Sequence, residues 1–292
     1  MGDDKQGAGI LITGGTGAFG KAFVRRMLEI ADYDRIVVLS RGEYRQFEMR
    51  QELAPLDKYN RLRFMIGDVR DRDRLRRAFN RISVVVHAAA LKRIEVGQYN
   101  PIEVVKTNVD GAVNVIEAAQ DAGVRKVVGL SSDKAYQPVS PYGLSKALAE
   151  SIFLAANNTT GWDGPKFAIT RYGNVWRSTG SVVPVWENMI KGGASNVPVT
   201  NPDCTRFFMR MSEAVDLVLN TINTMKGGEI NIPTLPAFKL GDLAKAMGAK
   251  VRVTGLPRFE KLHENMDWGV CSDKARRMSV DELKYELQNT HI

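Results

Sequence analysis

Thr13-Gly14-Gly15-Thr16-Gly17-Ala18-Phe19-Gly20 follows the short apolar run 10–13 and leads into an amphipathic pattern over 21–30. The stretch satisfies both a G-x-x-G-x-x-G and a G-x-G-x-x-G register. Glycines at these spacings permit a tight turn, let backbone approach a pyrophosphate, and let a helix pack close to its strand. The helix N-terminus then faces the phosphates, where free N–H groups and the helix dipole favour negative charge. An ordinary strand-to-helix turn is the plain alternative, and the placement between a strand and an amphipathic helix favours the dinucleotide reading.

Outward from this turn, apolar runs at 36–40, 62–67, 84–87, 126–130 and 167–170 alternate with helical patterns, the longest over 102–122. Such alternation predicts an α/β fold: a Rossmann-like doubly wound parallel sheet covered on both faces. Past residue 173 the pattern loosens, with Gly and Pro near 191–202 and isolated strand-like pieces at 229–232 and 250–254. We therefore expect a dinucleotide-binding domain over 1–172. Residues 173–292 are expected to form mainly a smaller substrate-binding lobe, with some segments returning to the core.

A chain of 292 residues, 44% hydrophobic and 25% charged, has the composition of an ordinary globular protein. Cys204 and Cys271 form no zinc or disulfide spacing, which fits a reducing cytoplasm. The first residues lack a signal-peptide pattern, and no apolar run approaches the roughly 20 residues of a membrane span, so no membrane association is expected. The net charge of +8 is scattered, with Asp71 and Asp73 interrupting its densest part at 70–81, so no nucleic-acid partner is expected. No ligand cluster accompanies His87 or His263, and no metal is expected. Met189, Met209 and Met211 read as packing residues.

Cofactor type is read at the end of the second strand, where an NAD site usually carries an acid for the ribose hydroxyls. Ser40-Arg41 stands there, with Arg45 one helical turn on, and these guanidinium groups suit the 2′-phosphate of NADP. Glu43 and surface solvation of either arginine are the counter-readings. Asp68-Val69 falls where adenine would be contacted, and Asp68 also suits a helix cap.

The fifth strand ends in Leu130-Ser131-Ser132-Asp133-Lys134, and Tyr142-Gly143-Leu144-Ser145-Lys146 follows. Tyr142 and Lys146 share a helix face, and a nearby cation is expected to lower the tyrosine pKa towards that of a general base. Ser132 is suited to hold a reacting hydroxyl. Consecutive strand residues point to opposite faces, so Asp133 and Lys134 serve one ligand only if the chain leaves the strand there. An exposed charged turn is the plain alternative.

These residues and the glycine turn resemble the extended short-chain dehydrogenase/reductase family. Within it the chain is similar to the C5-inverting UDP-N-acetylglucosamine 4,6-dehydratases. The narrower likeness is carried by Ser40-Arg41, Gly67-Asp68-Val69-Arg70-Asp71, His87-Ala88-Ala89-Ala90-Leu91-Lys92, Tyr99-Asn100-Pro101, Ser132-Asp133-Lys134, Arg171-Tyr172-Gly173-Asn174-Val175, Thr205-Arg206-Phe207 and Glu260-Lys261-Leu262-His263-Glu264. The resemblance implies NADP held by Gly14, Thr16, Gly17, Ala18, Phe19, Gly20, Ser40, Arg41, Arg45, Asp68, Val69, Ala88, Tyr142 and Lys146. It implies a UDP-sugar held by Lys92, Asn174, Thr200, Arg258 and Glu260, and a homo-oligomer. It also implies a reaction in which Tyr142 takes the C4 hydroxyl proton during oxidation, Lys134 as a neutral amine removes the C5 proton, and Asp133 protonates the departing C6 oxygen. Where that family reads Gly-x-Arg-Pro-Gly-Glu-Lys, this chain has Gly255-Leu256-Pro257-Arg258-Phe259-Glu260-Lys261, so this loop is expected to run differently. Trp176 and Arg177 also replace smaller residues. A nucleotide-sugar 4-epimerase or reductase needs no Asp133–Lys134 pair, and a non-catalytic NADP-binding sensor needs no catalytic set at all.

Overall fold

Strand β1 (Gly9–Thr13) is buried along its whole length and ends at Gly14, whose φ of +66° lies in the left-handed region. A side chain there would clash, since a Cβ would lie 2.8 Å from Ala89 Cα. The chain then enters α1 (Ala18–Ile30), which begins three residues before the predicted helix because Gly17 O already accepts from Lys21 N–H at 2.9 Å. This computed structural model describes residues 9–30 and 33–289.

The core continues through β2 (Arg35–Ser40), α2 (Glu43–Leu53), β3 (Leu62–Ile66), α3 (Arg72–Ala78), β4 (Ile82–His87), α4 (Ile94–Tyr99), α5 (Pro101–Val105), α6 (Gly111–Ala122), β5 (Lys126–Leu130), α7 (Pro141–Thr159) and β6 (Lys166–Thr170). All six predicted strands are present, with only their ends displaced. The helix expected over 102–122 is present without a break from Pro101 to Ala122, its middle turn at Lys106–Asp110 widened into a π turn between α5 and α6.

Downstream lie β7 (Asn174–Val175), α8 (Val182–Lys191), β8 (Asn196–Val199), β9 (Thr205–Met209), α9 (Met211–Thr224), β10 (Ile230–Asn231), β11 (Ala237–Lys239), α10 (Leu240–Ala246), β12 (Lys250–Val253), β13 (Asn265–Asp267), β14 (Val270–Cys271) and α11 (Val280–Gln288). The central sheet has seven parallel strands in the order β10-β6-β5-β4-β1-β2-β3. Strand order reverses between β1 and β4, the crevice where such sheets bind ligands. Alternation along β1 feeds two apolar layers: Ile10 and Ile12 pack with Phe23 and Val24 on one face, and Leu11 packs with Val37, Ala112 and Val115 on the other.

A second, smaller assembly joins β11, β9 and β7 in one sheet and β12 with β8 in another. Its own core contains Trp186, Val197, Phe208, Phe238 and Leu283. Two downstream segments nevertheless belong to the larger core. β10 pairs with β6, and Ala214, Val215, Val218 and Ile222 of α9 pack in the layer that holds Ile10.

Candidate active site

The glycine turn is built for close approach. A Cβ on Gly20 would sit 2.3 Å from Gly15 O, so only glycine lets α1 lie against the turn, whereas one on Gly17 meets only Gly14 O, at 3.2 Å. Gly17 is exposed and Thr16, Ala18 and Phe19 are half-buried, leaving the N-terminal edge of α1 open. This cradle fits a pyrophosphate, and Gly14, Thr16, Gly17, Ala18 and Phe19 are the residues that would line it. Next to it, Gln46 Nε2 donates to both Ser40 O and Ser40 Oγ, at 3.0 and 2.9 Å, fixing the end of β2.

Arg41 is 58% exposed in its side chain and lies 3.8 Å from Asp68 Oδ2, which Arg70 holds more closely at 2.7 Å. Burial pushes the Asp68 carboxyl up, but Arg70 and then Arg41 outweigh it and hold it below the usual range. Arg45 is exposed. Val69 is buried, with its side chain against Gly111 and its carbonyl accepting from Asn114 Nδ2 at 3.0 Å, so its side chain is not free to meet a ligand. Ala88, half-buried, donates its N–H to Thr13 O at 3.3 Å.

His87 is hydrogen-bonded through Nδ1 to Thr13 Oγ1 at 2.8 Å and stacks on Phe153. Burial, helped by Lys146, pushes its pKa down to about 3, so it is neutral and locks β4 to β1.

At the end of β5 the chain turns out of the sheet. Ser131 N–H still donates to Thr170 O at 2.8 Å, but Asp133–Ala135 form a 3-10 turn, with Asp133 N–H on Tyr172 O at 3.0 Å. That departure brings Asp133 Oδ1 and Lys134 Nζ to 3.1 Å, which regular strand alternation forbids. Helix α7 is seated on this turn. Ser140 caps it by accepting from Gly143 N–H at 3.1 Å, and a Cβ on Gly143 would lie 2.4 Å from Lys134 O. Ser132 Oγ donates to Asp133 Oδ1 at 2.9 Å, and its hydroxyl lies beside the Tyr142 phenol.

The electrostatics differ from the expectation that Lys146 lowers Tyr142. Burial pushes the Tyr142 phenol up, and the cation opposing it is Lys134, aided by the Ser132 hydroxyl. Lys146 donates to Leu130 O instead, and burial, countered by Glu150, brings it down to about 8. Nor is Lys134 a neutral amine here. Burial alone would lower it, but Asp133 and Glu264, 3.1 and 3.2 Å away, hold it above the usual lysine range. Asp133 is 0% exposed, and burial raises its carboxyl. A proton leaving it must pass through Ser132 or Lys134.

The π-helical turn supplies a residue to which the sequence reading gave no role. Asn108 Oδ1 accepts from Leu91 N–H at 2.8 Å, and its Nδ2 donates to Leu91 O at 3.0 Å and Ser145 Oγ at 2.9 Å. It thereby clamps the loop before Lys92 to α7. The available signal was an asparagine on the stripe formed by Val104, Ala112 and Val115. Glu264 was quoted within a motif without a function.

On the substrate side, Lys92 is accessible, while partial desolvation and Arg93 push its ammonium down. Asn174 begins β7 with a buried, unpartnered Oδ1, and Thr200 lies 3.8 Å from Cys204 Sγ. Glu260 is committed to the buried guanidinium of Arg206. The altered loop leaves Arg258 exposed, while Phe259 lines a narrow crevice with Ile94, Lys134, Glu260 and Glu264. Trp176 Nε1 donates to Glu286 O at 3.3 Å and Arg177 Nη2 to Leu287 O at 2.6 Å, so this bulky pair docks α11 beside β7, while Arg177 also pairs with Glu187 of α8 at 2.7 Å.

The family described as "Polysaccharide biosynthesis protein" matches residues 10–283. The chain belongs to that family. Among its relatives, the inverting UDP-N-acetylglucosamine 4,6-dehydratase of Campylobacter jejuni serotype O:2 is 43% identical over 283 residues, covering 96% of this chain and 80% of that protein. A UDP-glucose 4-epimerase of Rickettsia canadensis is 40% identical over 266 residues, 88% of this chain and 76% of that one. The X-ray structure of Pen from Bacillus thuringiensis matches with a TM-score of 0.92 and 33% identity, over 99% of this chain and 100% of that one. DesIV, a dTDP-glucose 4,6-dehydratase of Streptomyces venezuelae solved with NAD and TYD, matches at 0.80 and 25% identity, over 96% of each chain. These solved relatives share the extended short-chain dehydrogenase/reductase architecture. Among the described residues no helix is long and apolar enough to cross a membrane, and no cluster of three or more His, Cys, Asp or Glu is arranged to hold a metal.

Proposed function

We propose that this polysaccharide biosynthesis protein is an NADP-dependent UDP-N-acetylglucosamine 4,6-dehydratase acting with inversion at C5. The observation that carries the reading is the Asp133–Lys134 pair, which the 3-10 turn delivers to the same pocket as Ser132 and Tyr142. A bound nicotinamide dinucleotide would supply the hydride chemistry at the sugar. Gly14, Thr16, Gly17, Ala18, Phe19, Gly20 and Ser40 would hold it, together with the backbone at Asp68, Val69 and Ala88 and the Tyr142–Lys146 face. The preference for NADP rests on Arg41 and Arg45 at the open end of β2, although DesIV was solved with NAD.

Tyr142, as the phenolate that the Lys134 cation favours against burial, accepts the C4 hydroxyl proton, and the resulting 4-ketone acidifies C5–H. Moving one proton across the 3.1 Å from Lys134 to Asp133 converts ammonium and carboxylate into amine and carboxylic acid. The amine then takes the C5 proton. The acid delivers its own proton through Ser132 to the departing C6 oxygen, water leaves, and the pair returns to ammonium and carboxylate. Lys92, Asn174, Thr200, Arg258 and Glu260 are the proposed substrate contacts, Glu260 acting through Arg206. We infer that residues 1–172 chiefly serve the dinucleotide and 173–292 chiefly the sugar. Exposed Ile102, Leu144 and Leu148 on α5 and α7 support a homo-oligomer, and two free cysteines support a cytoplasmic setting.

The likeness to the Rickettsia epimerase favours a second reading, a 4-epimerase that uses Tyr142 and leaves Asp133–Lys134 idle. Incubation with UDP-N-acetylglucosamine in D₂O, followed by NMR, separates the two. The dehydratase gives a 4-keto-6-deoxy sugar of L-arabino configuration with deuterium at C5, and Lys134→Ala abolishes it without impairing NADP binding. Unchanged sugar or only its C4 epimer sinks the proposal.

A further inference from the structure

Lys134 is gripped from two sides, and the reaction above uses only one of its partners. The second is Glu264, 1% exposed, whose Oε1 lies 3.2 Å from Lys134 Nζ and whose Oε2 lies 3.3 Å from Lys261 Nζ. Glu264 arrives from the segment just before β13, not from the catalytic turn. Its N–H donates to Ser272 Oγ at 2.9 Å, and that hydroxyl is bound to Thr205 Oγ1 at 2.6 Å. Its carboxylate is therefore buried on a fixed backbone and aimed at the amine. A buried carboxylate is costly unless it is paired, and the cations gathered here supply that pairing.

We propose that Glu264 is a positioning residue for Lys134: it holds the amine against Asp133 from the downstream half of the chain, and its negative charge sets the pH range in which elimination runs. The inference rests on the dehydratase reading. The charged and titratable groups facing Lys134 are Asp133 on its own turn, Tyr142 on α7, Arg206 on β9, and Glu264 with Lys261 on the downstream segment. Glu260 counters Arg206. Despite its burial, Glu264 is held down to about 2 by Lys134, Arg206 and Lys261, so it stays an anion throughout the working range.

Elimination requires that the Asp133–Lys134 pair carry one proton. Both the two-to-one and the one-to-zero proton steps are made harder by a neighbouring anion, so Glu264 moves both limbs of the bell-shaped profile to higher pH. Glu264→Gln keeps the shape of the side chain and removes the charge. Both limbs of the pH profile for deuterium incorporation at C5 from UDP-N-acetylglucosamine should then shift to lower pH by about one to three units, the usual effect of an ionic neighbour this close. C4 oxidation, read by reduced-nicotinamide absorbance in a single turnover, should persist, its profile moving to lower pH only as far as Glu264 raises the Tyr142 phenol. Lys261→Met removes a cation from the far side of Glu264 and should shift the profile to higher pH.

Thermal melts establish that each variant is folded, and Lys261→Met carries the test if Glu264→Gln does not fold. Unmoved limbs in a folded variant, or profiles of Glu264→Gln and Lys261→Met that shift in the same direction as each other, overturn the proposal. Wild-type protein that incorporates no deuterium at C5 refutes the dehydratase reading itself, and this inference falls with it.

Discussion

Replacing Glu150 by Leu should destabilise the protein severely, because it strands a buried guanidinium. Arg171, just past β6, donates from Nε to Glu150 Oε1 at 3.0 Å and from Nη2 to Oε2 at 2.6 Å, with side-chain exposures of 8% and 6%. Its Nη1 donates to Met266 O in β13, and the guanidinium lies over the Tyr136 ring. Removing one partner of such a pair costs about 3–5 kcal/mol, since the remaining charge stays out of water. At roughly 2–4 °C per kcal/mol, a melting temperature lower by roughly 6–20 °C is expected. Glu150→Leu combined with Arg171→Met should recover most of that stability, because a packed apolar pair replaces the ion pair. Activity should not recover with it, since the tie from β6 to β13, and hence to Glu264, is gone. Urea and thermal unfolding of the two variants and wild type measure this. A single variant within about 1 kcal/mol of wild type, or a double variant no more stable than the single, refutes the reasoning.

Arg41→Ala should weaken NADP binding by about 10–100-fold, the value of one charge-assisted hydrogen bond, while leaving NAD affinity unchanged; calorimetric titration with both dinucleotides checks it. Lys146, brought down to about 8, is an ammonium below that pH and loses its proton above it. The dinucleotide Kd should therefore be flat through neutral pH and rise above about 8, and Lys146→Met should abolish that dependence in the same titration. Asn108→Leu leaves Leu91 N–H and O without their partner, at about 1–3 kcal/mol for each group that stays buried. A lower urea midpoint together with reduced turnover is expected, and an unchanged midpoint removes the clamp from the account.

The central sheet was legible because its inner strands are apolar runs buried on both faces, so they stand out from the polar faces of the helices between them, and β3, an edge strand with Arg63 and Ile66 exposed, is still mostly apolar. Tyr142 and Lys146 were legible for the same reason: helical spacing alone puts them on one face. The π turn at Lys106–Asp110 was not, because widening one turn of a continuous helix leaves the apolar stripe nearly intact. The charge states were harder still. Whether Lys134 is an amine or an ammonium depends on Glu264, some 130 positions away, and no local pattern reports such a distant neighbour. Val69 shows a related limit, since nothing in its local sequence reports its burial beneath α6.

The last strand of the central sheet, β10, is also the one made last. While the chain is being synthesised, β6 emerges with an unpaired edge and waits about sixty residues for Ile230 and Asn231. At about 5–20 residues per second, that edge is open for several seconds. A bare parallel edge is a template for pairing with other chains, so the nascent protein passes through an aggregation-prone interval that the finished fold hides. A chain stopped anywhere between β6 and β10 should therefore hold an almost complete dinucleotide-binding core and still be insoluble.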